Sequence, residues 1–269
     1  MREINRLATT RYGRFLYNPS DMYIGKALQE YGEAHEFELI LLRQLCGPGD
    51  CVFDVGANIG DHTIPLAQHV GERGFVFAFE PQRVIFQCLC ANVALNSLTN
   101  VECVHAAAGS SAGSVLIPDI DYSLEDNYGG VEVSRFTEGR PVPQVMLDDY
   151  LDAPPVRLVK IDVEGMEIEA LRGAAELIAK FRPTLYVEND RLDRSPALIS
   201  LLRDLEYRPY WHLAPLFNPD NFRGNTVDLF ENVVATNLLC IPRETPLEFS
   251  GPAFPEAADP AKHPFGEWP

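Results

Sequence analysis

Between residues 51 and 187, short runs that are apolar at nearly every position alternate with stretches whose apolar residues recur at helical spacing. A strand that is apolar throughout has to be covered on both faces, and interspersed helices supply that cover. The pattern therefore predicts a mostly parallel sheet flanked by helices. The strand-like runs are Cys51–Val55, Phe75–Phe79, Val101–Val104, Val156–Ile161 and 184–187. Helical spacing is carried by Phe37, Ile40, Leu41 and Leu45 within 34–46, which Gly47-Pro48-Gly49-Asp50 brings to a stop. It recurs over 61–70, where Pro65 is tolerable near the first turn, then at Val84, Cys88, Ala91 and Leu95, and at Leu171, Ala174 and Ile178. Ser195-Pro196 reads as a cap and first helical residue opening a helix through Leu205. The stretches 207–211 and 232–237 read as two last strands with no helix between them, which predicts an antiparallel finish.

Around this pattern the 269 residues divide into an aromatic-rich arm over 1–33, one domain over 34–241 and a tail over 242–269. Six prolines after Pro242 mark that tail as an extended wrap or a mobile end. Segments 116–145 and 212–231 read as insertions. Acidic residues outnumber basic ones 39 to 22, for a formal charge of -17, which disfavours binding to nucleic acid. No apolar run is long enough to span a membrane, and no apolar leader follows Met1. The six cysteines include only one close pair, Cys88 and Cys90, whose spacing fits neither zinc nor a redox motif. Free thiols of this kind suit a reducing cytoplasm. Nothing in the pattern indicates an oligomeric state.

The densest chemical signal is Asp54-Val55-Gly56-Ala57-Asn58-Ile59-Gly60-Asp61-His62-Thr63, where a strand enters a glycine-bearing loop and a helix begins. Glycine lets backbone approach a ligand, and a helix start offers free N–H groups. In open parallel sheets such loops sit at the ligand-binding edge. The rival is a dinucleotide-dependent oxidoreductase, but that site wants Gly-x-Gly-x-x-Gly. Here the order is Gly56-x-Asn58-x-Gly60, and the next strand ends in Phe79-Glu80-Pro81, 24 residues beyond Gly56. A carboxylate there can accept both hydroxyls of a ribose. The combination points to an adenosyl ligand without phosphates, S-adenosylmethionine, bound by Asp54, Gly56, Ala57, Asn58, Gly60, Glu80 and Pro81.

A second block, Lys160-Ile161-Asp162-Val163-Glu164-Gly165, closes the fourth strand, and Leu171-Arg172-Gly173 follows it. Together with Asp54–Gly60 and Phe79-Glu80-Pro81, it resembles the FkbM-type family of S-adenosylmethionine-dependent methyltransferases, over roughly residues 30–240. The glycine loop is shared by many methyltransferases; the Ile-Asp-Val-Glu-Gly block is more particular. The resemblance implies a class I methyltransferase fold, a seven-stranded sheet with its last strand antiparallel. It also implies methyl transfer to hydroxyl oxygen of a sugar, glycolipid or polyketide-type acceptor. A binding protein that keeps the fold without turnover is the remaining alternative.

An alkyl hydroxyl gains from a positioned base or a metal ion. Asp162 and Glu164 are the leading catalytic candidates, with His212 and His62 as possible bases. His35, His69, His105 and His263 have no partner pattern that distinguishes them. Asp162, Glu164, Glu188 and Asn189 offer oxygen ligands for Mg2+, yet no further ligand completes a cage, so the metal-free reading is preferred. The loop 212–225, rich in amides and aromatics, suits a small-molecule or glycan acceptor.

Overall fold

The structure is a computed structural model and describes residues 3–132, 136–246, 255–257, 259, 262 and 264. The chain opens with a hairpin, β1 (Arg6–Thr10) and β2 (Gly13–Tyr17), then α1 (Ile24–Glu30) and α2 (Glu36–Leu45). Next come β3 (Cys51–Val55), α3 (Thr63–Val70), β4 (Phe75–Phe79), α4 (Arg83–Leu95) and β5 (Val101–Val104). A short excursion follows through β6 (Ala107–Ala108), β7 (Gly113–Ile117) and β8 (Arg140–Val145). The chain then forms β9 (Val156–Ile161), α5 (Glu167–Arg172), α6 (Ala175–Phe181), β10 (Thr184–Glu188), α7 (Ser195–Asp204), β11 (Tyr207–Pro215) and β12 (Val234–Pro242).

Seven strands form one sheet in the order β5-β4-β3-β9-β10-β12-β11. The pairs β4–β5, β3–β4, β3–β9 and β9–β10 are parallel, and β12 runs antiparallel to both β10 and β11. This is the class I methyltransferase arrangement. Consecutive strand residues face opposite sides, so each run feeds two cores. Phe53 and Phe79 pack with Leu171, Leu177 and Leu198 of α5, α6 and α7. Val52 and Val76 pack with Leu42 and Leu66 of α2 and α3. Strand order reverses at β3 and β9, which opens a crevice at their carboxyl ends.

Several local features differ from the sequence pattern, each for a visible reason. The helix after β9 is broken at Gly173, where a Cβ would meet the Gly109 carbonyl oxygen at 2.0 Å. Asp148 then restarts it, accepting from the Leu177 and Glu176 N–H groups. Ser195 is the first helical residue of α7 rather than its cap, and its hydroxyl accepts from Asn189. β11 and β12 pair over nine positions, well beyond the short runs expected, and β11 carries Pro209 and Pro215 on the outermost strand, where proline is tolerated.

The arm is folded onto the domain: Asn92 of α4 bonds both the N–H and the carbonyl of Leu16. The segment read as a first insertion, 116–145, carries the end of β7, all of β8 and the buried Tyr128. Of the tail, residues 255–257 lie along β11, with Trp211 N–H donating to Pro255 and Ala257 N–H to Pro209. Most of the remaining tail falls outside the described residues. All six cysteines are free, and among the described residues no helix is long and apolar enough to cross a membrane.

Candidate active site

A cleft of about 430 Å³ opens at the carboxyl ends of β3, β4, β9 and β10. Its floor is the loop between β3 and α3. Gly56 has φ 83°, and a Cβ there would fall 1.7 Å from the Asp162 carbonyl oxygen. The Gly56 and Ala57 N–H groups donate to Phe79, tying the loop to the end of β4. Asn58, at φ 48°, turns its N–H onto Glu80 Oε2 at 3.0 Å, while Gln82 N–H donates to Oε1 at 2.7 Å. Burial pushes the Glu80 carboxyl up to about 7, partly offset by those two hydrogen bonds.

Of the expected cofactor residues, Gly56, Asn58, Glu80 and Pro81 line the cleft. Asp54, Ala57 and Gly60 stand behind its surface. Asp54 is fully buried, accepts from the Thr63 hydroxyl at 2.6 Å and lies 3.3 Å from Lys160 Nζ. Gly60 has φ 92°, and a Cβ there would press on Leu89.

The opposite wall comes from β9 and β10. Lys160 Nζ donates to Gly56 O at 2.9 Å and sits 3.3 Å from Asp162 as well as Asp54. Burial opposes its charge, but Asp162 and Asp54 outweigh that and raise its pKa. Asp162, Glu164 and Glu188 bring one carboxylate oxygen each within 4.8 Å of one another. Burial, then Asp162 and Asp190, push Glu164 up to about 8 against the opposing pull of Arg191, whose Nη2 donates to it at 2.7 Å. Glu188 is raised well above its ordinary value by burial, then by Asp162 and Glu164. Asn189 points away, bonded to Ser195.

Histidines form a separate group. His62 has Nδ1 3.2 Å from Asp61 Oδ2 and Nε2 3.3 Å from Glu38 Oε2. Burial works against its charge, but these two acids raise it to about 10. His35 stacks on it, ring centres 4.9 Å apart, and places Nδ1 2.7 Å from the same Asp61 oxygen. His212 does not line the cleft; its Nδ1 meets the Tyr186 hydroxyl at 2.7 Å, and burial lowers its pKa.

Part of the lining carries little signal in the amino-acid sequence. Lys160 was legible as a charge inside an otherwise apolar strand end. His35, Arg191, Asn127, Gly129, Gly130 and Val131 carried no such mark. From the loop after β11 only Leu216 and Val233 reach the cleft; Asn218 instead donates to Glu33 and Asn221 closes its own loop.

The model of the methyltransferase FkbM domain matches residues 54–209. Methyltransferase sdnD of Sordaria araneosa is 28% identical over 158 residues, covering 46% of this chain and 60% of that protein. Hexuronic acid methyltransferase AglP of Haloferax volcanii is 32% identical over 137 residues, covering 49% of this chain and 53% of that protein. The solved structure of a methyltransferase FkbM from Methylobacillus flagellatus KT aligns with TM-score 0.44 at 18% identity, covering 71% of this chain and 43% of that one. The chain thus matches little more than half the length of its curated relatives.

Proposed function

This chain belongs to the FkbM methyltransferase family, and on that footing we propose that it transfers the methyl group of S-adenosylmethionine to a hydroxyl oxygen of a sugar, glycolipid or polyketide-type acceptor. The observation that carries the reading is Glu80. Its oxygens each take one backbone N–H, and a carboxylate has about four acceptor sites, so two remain for the vicinal hydroxyls of a ribose. Beside it, Ala106 and Ala107 present small side chains against which a flat base can lie. The cleft volume falls within the ~300–1,000 Å³ of small-molecule pockets.

When bound, the sulfonium supplies a methyl group that is already activated. What remains for the protein is to position and dehydrate the acceptor. Asp162 faces the cleft with its charge balanced by Lys160, and serves as the clamp that accepts a hydrogen bond from the acceptor hydroxyl. Glu164 also lines the cleft, fixed there by Arg191. Lys160 and Arg191 counter the carboxylate charge here, which favours a metal-free site. His212 stands outside the cleft lining, with its Nδ1 on the Tyr186 hydroxyl. Similarity to a hexuronic acid methyltransferase supports a sugar as acceptor, and six free thiols fit a cytoplasmic setting.

Calorimetric titration with S-adenosylhomocysteine and with NAD tests the donor. Binding of the first alone is expected; NAD binding in its place overturns the reading. Methyl transfer to a panel of hydroxylated sugars, with and without a chelator, then tests the acceptor class and the metal-free site.

A further inference from the structure

The donor proposed above carries a carboxylate on its amino-acid part, and in an acidic cleft a cationic donor is the strongest partner for it. Among the described residues, four basic side chains line the cleft: His35, His62, Lys160 and Arg191. Lys160 is engaged by Gly56, Asp54 and Asp162. Arg191 directs its terminal nitrogens at Glu132 and Glu164. Both nitrogens of His62 face acids, and its Nε2, 3.3 Å from Glu38 without a formed hydrogen bond, is enclosed and offers no surface to a ligand. His35 differs. Its Nδ1 is held by Asp61, while Nε2 has no hydrogen-bond partner among the described residues and is not among the buried unpartnered atoms.

We propose that His35 is the group that binds the amino-acid carboxylate of the methyl donor, through its Nε2–H, with Asp61 fixing the opposite edge of the ring. This rests on the reading that the cleft binds an adenosyl methyl donor.

Three further observations agree. Burial disfavours the His35 cation, but Asp61 and Glu38 outweigh both burial and the neighbouring His62 charge, so its pKa is raised and the ring is biased toward the charged, doubly donating form. His35 adopts φ 54°, a left-handed conformation that histidine takes more readily than most side chains, where it starts α2 beside the cleft. The rival use of His35, Asp61 and His62 is a metal site, since one ligand atom from each lies within 4.8 Å of the others. The two rings are stacked with planes only 17° apart, so the in-plane lone pairs of their nitrogens run side by side and do not converge on one ion.

The test compares S-adenosylhomocysteine with methylthioadenosine, which keeps the nucleoside and thioether but lacks the amino-acid part. His35→Asn is the variant of choice. Asparagine tolerates the left-handed backbone and can keep a donor near Asp61, yet it cannot reach where Nε2 stands. In calorimetry, S-adenosylhomocysteine should bind about ten- to a hundredfold more weakly to the variant, with methylthioadenosine changed by less than about threefold. In the wild type, S-adenosylhomocysteine affinity relative to that of methylthioadenosine should fall as pH rises through the His35 titration, and that fall should vanish in the variant. Equal binding of S-adenosylhomocysteine by both proteins overturns the assignment, as does a parallel loss for both ligands, which marks a structural role. A wild-type protein that binds neither ligand overturns the donor reading itself.

Discussion

Gly56 and Asp162 meet backbone to backbone: the Asp162 carbonyl oxygen, just past the end of β9, occupies the space a Cβ at position 56 would need, 1.7 Å away. The glycine is therefore required by the chain itself, before any ligand arrives. Gly56→Ala should destabilise the fold by about 2–4 kcal/mol, from the collision and the positive φ together. Urea denaturation reads this directly. An unchanged midpoint would show that the β3–β9 junction yields freely.

Glu80 titrates near 7 because it is buried, and ribose hydroxyls donate to its ionised form. Methylthioadenosine should therefore bind more tightly as pH rises through about 7, since the anion predominates only above it. Glu80→Gln should remove that rise and weaken binding by about 1–3 kcal/mol. A flat wild-type profile between acid and alkaline pH would dissociate Glu80 from the ribose.

Lys160 neutralises Asp54, whose Oδ1 is buried with no hydrogen-bond partner and depends on the nearby ammonium for its charge balance. Lys160→Met should cost about 3–5 kcal/mol by leaving that carboxylate uncompensated. Adding Asp54→Asn should recover part of the loss, because the stranded charge goes with it. Strictly additive effects in the double variant would show the pair uncoupled.

Glu33 is buried and gathers Arg11 Nε at 2.6 Å, Asn218 Nδ2 at 2.7 Å and the Phe222 N–H at 2.7 Å. It pins the loop after β11 to the arm. Glu33→Gln should cost about 1–3 kcal/mol and speed proteolysis within residues 216–231. Affinity for S-adenosylhomocysteine should hold, since these amides do not line the cleft. Protection equal to wild type would remove Glu33 from that role.

The central strands were readable because residues such as Val52 and Phe53 are both apolar, and only a strand covered on two faces needs that. The hairpin β1–β2 was not, because its residues are largely polar or half-buried and its hold on α4 comes through Asn92, far away in sequence. β8 was obscured by Pro141 and Pro143, which argue against a strand in isolation. The same division runs through the site. Glu80 and Asp162 announce themselves as acids at strand tips. His35 becomes notable only when folding brings Asp61 to it, and Arg191 only beside Glu132, 59 residues earlier. Spacing along the chain encodes neither meeting.

Residues 255–257 have one more effect. β11 is the last strand of the sheet, so its outward N–H and carbonyl groups would otherwise stand ready to pair with a strand of another molecule. The main chain of Pro209 and Trp211 is instead engaged by Ala257 and Pro255 of the same chain. Along that stretch the border carries its own guard against self-association, and a second molecule finds no template there on which to extend the sheet into an aggregate.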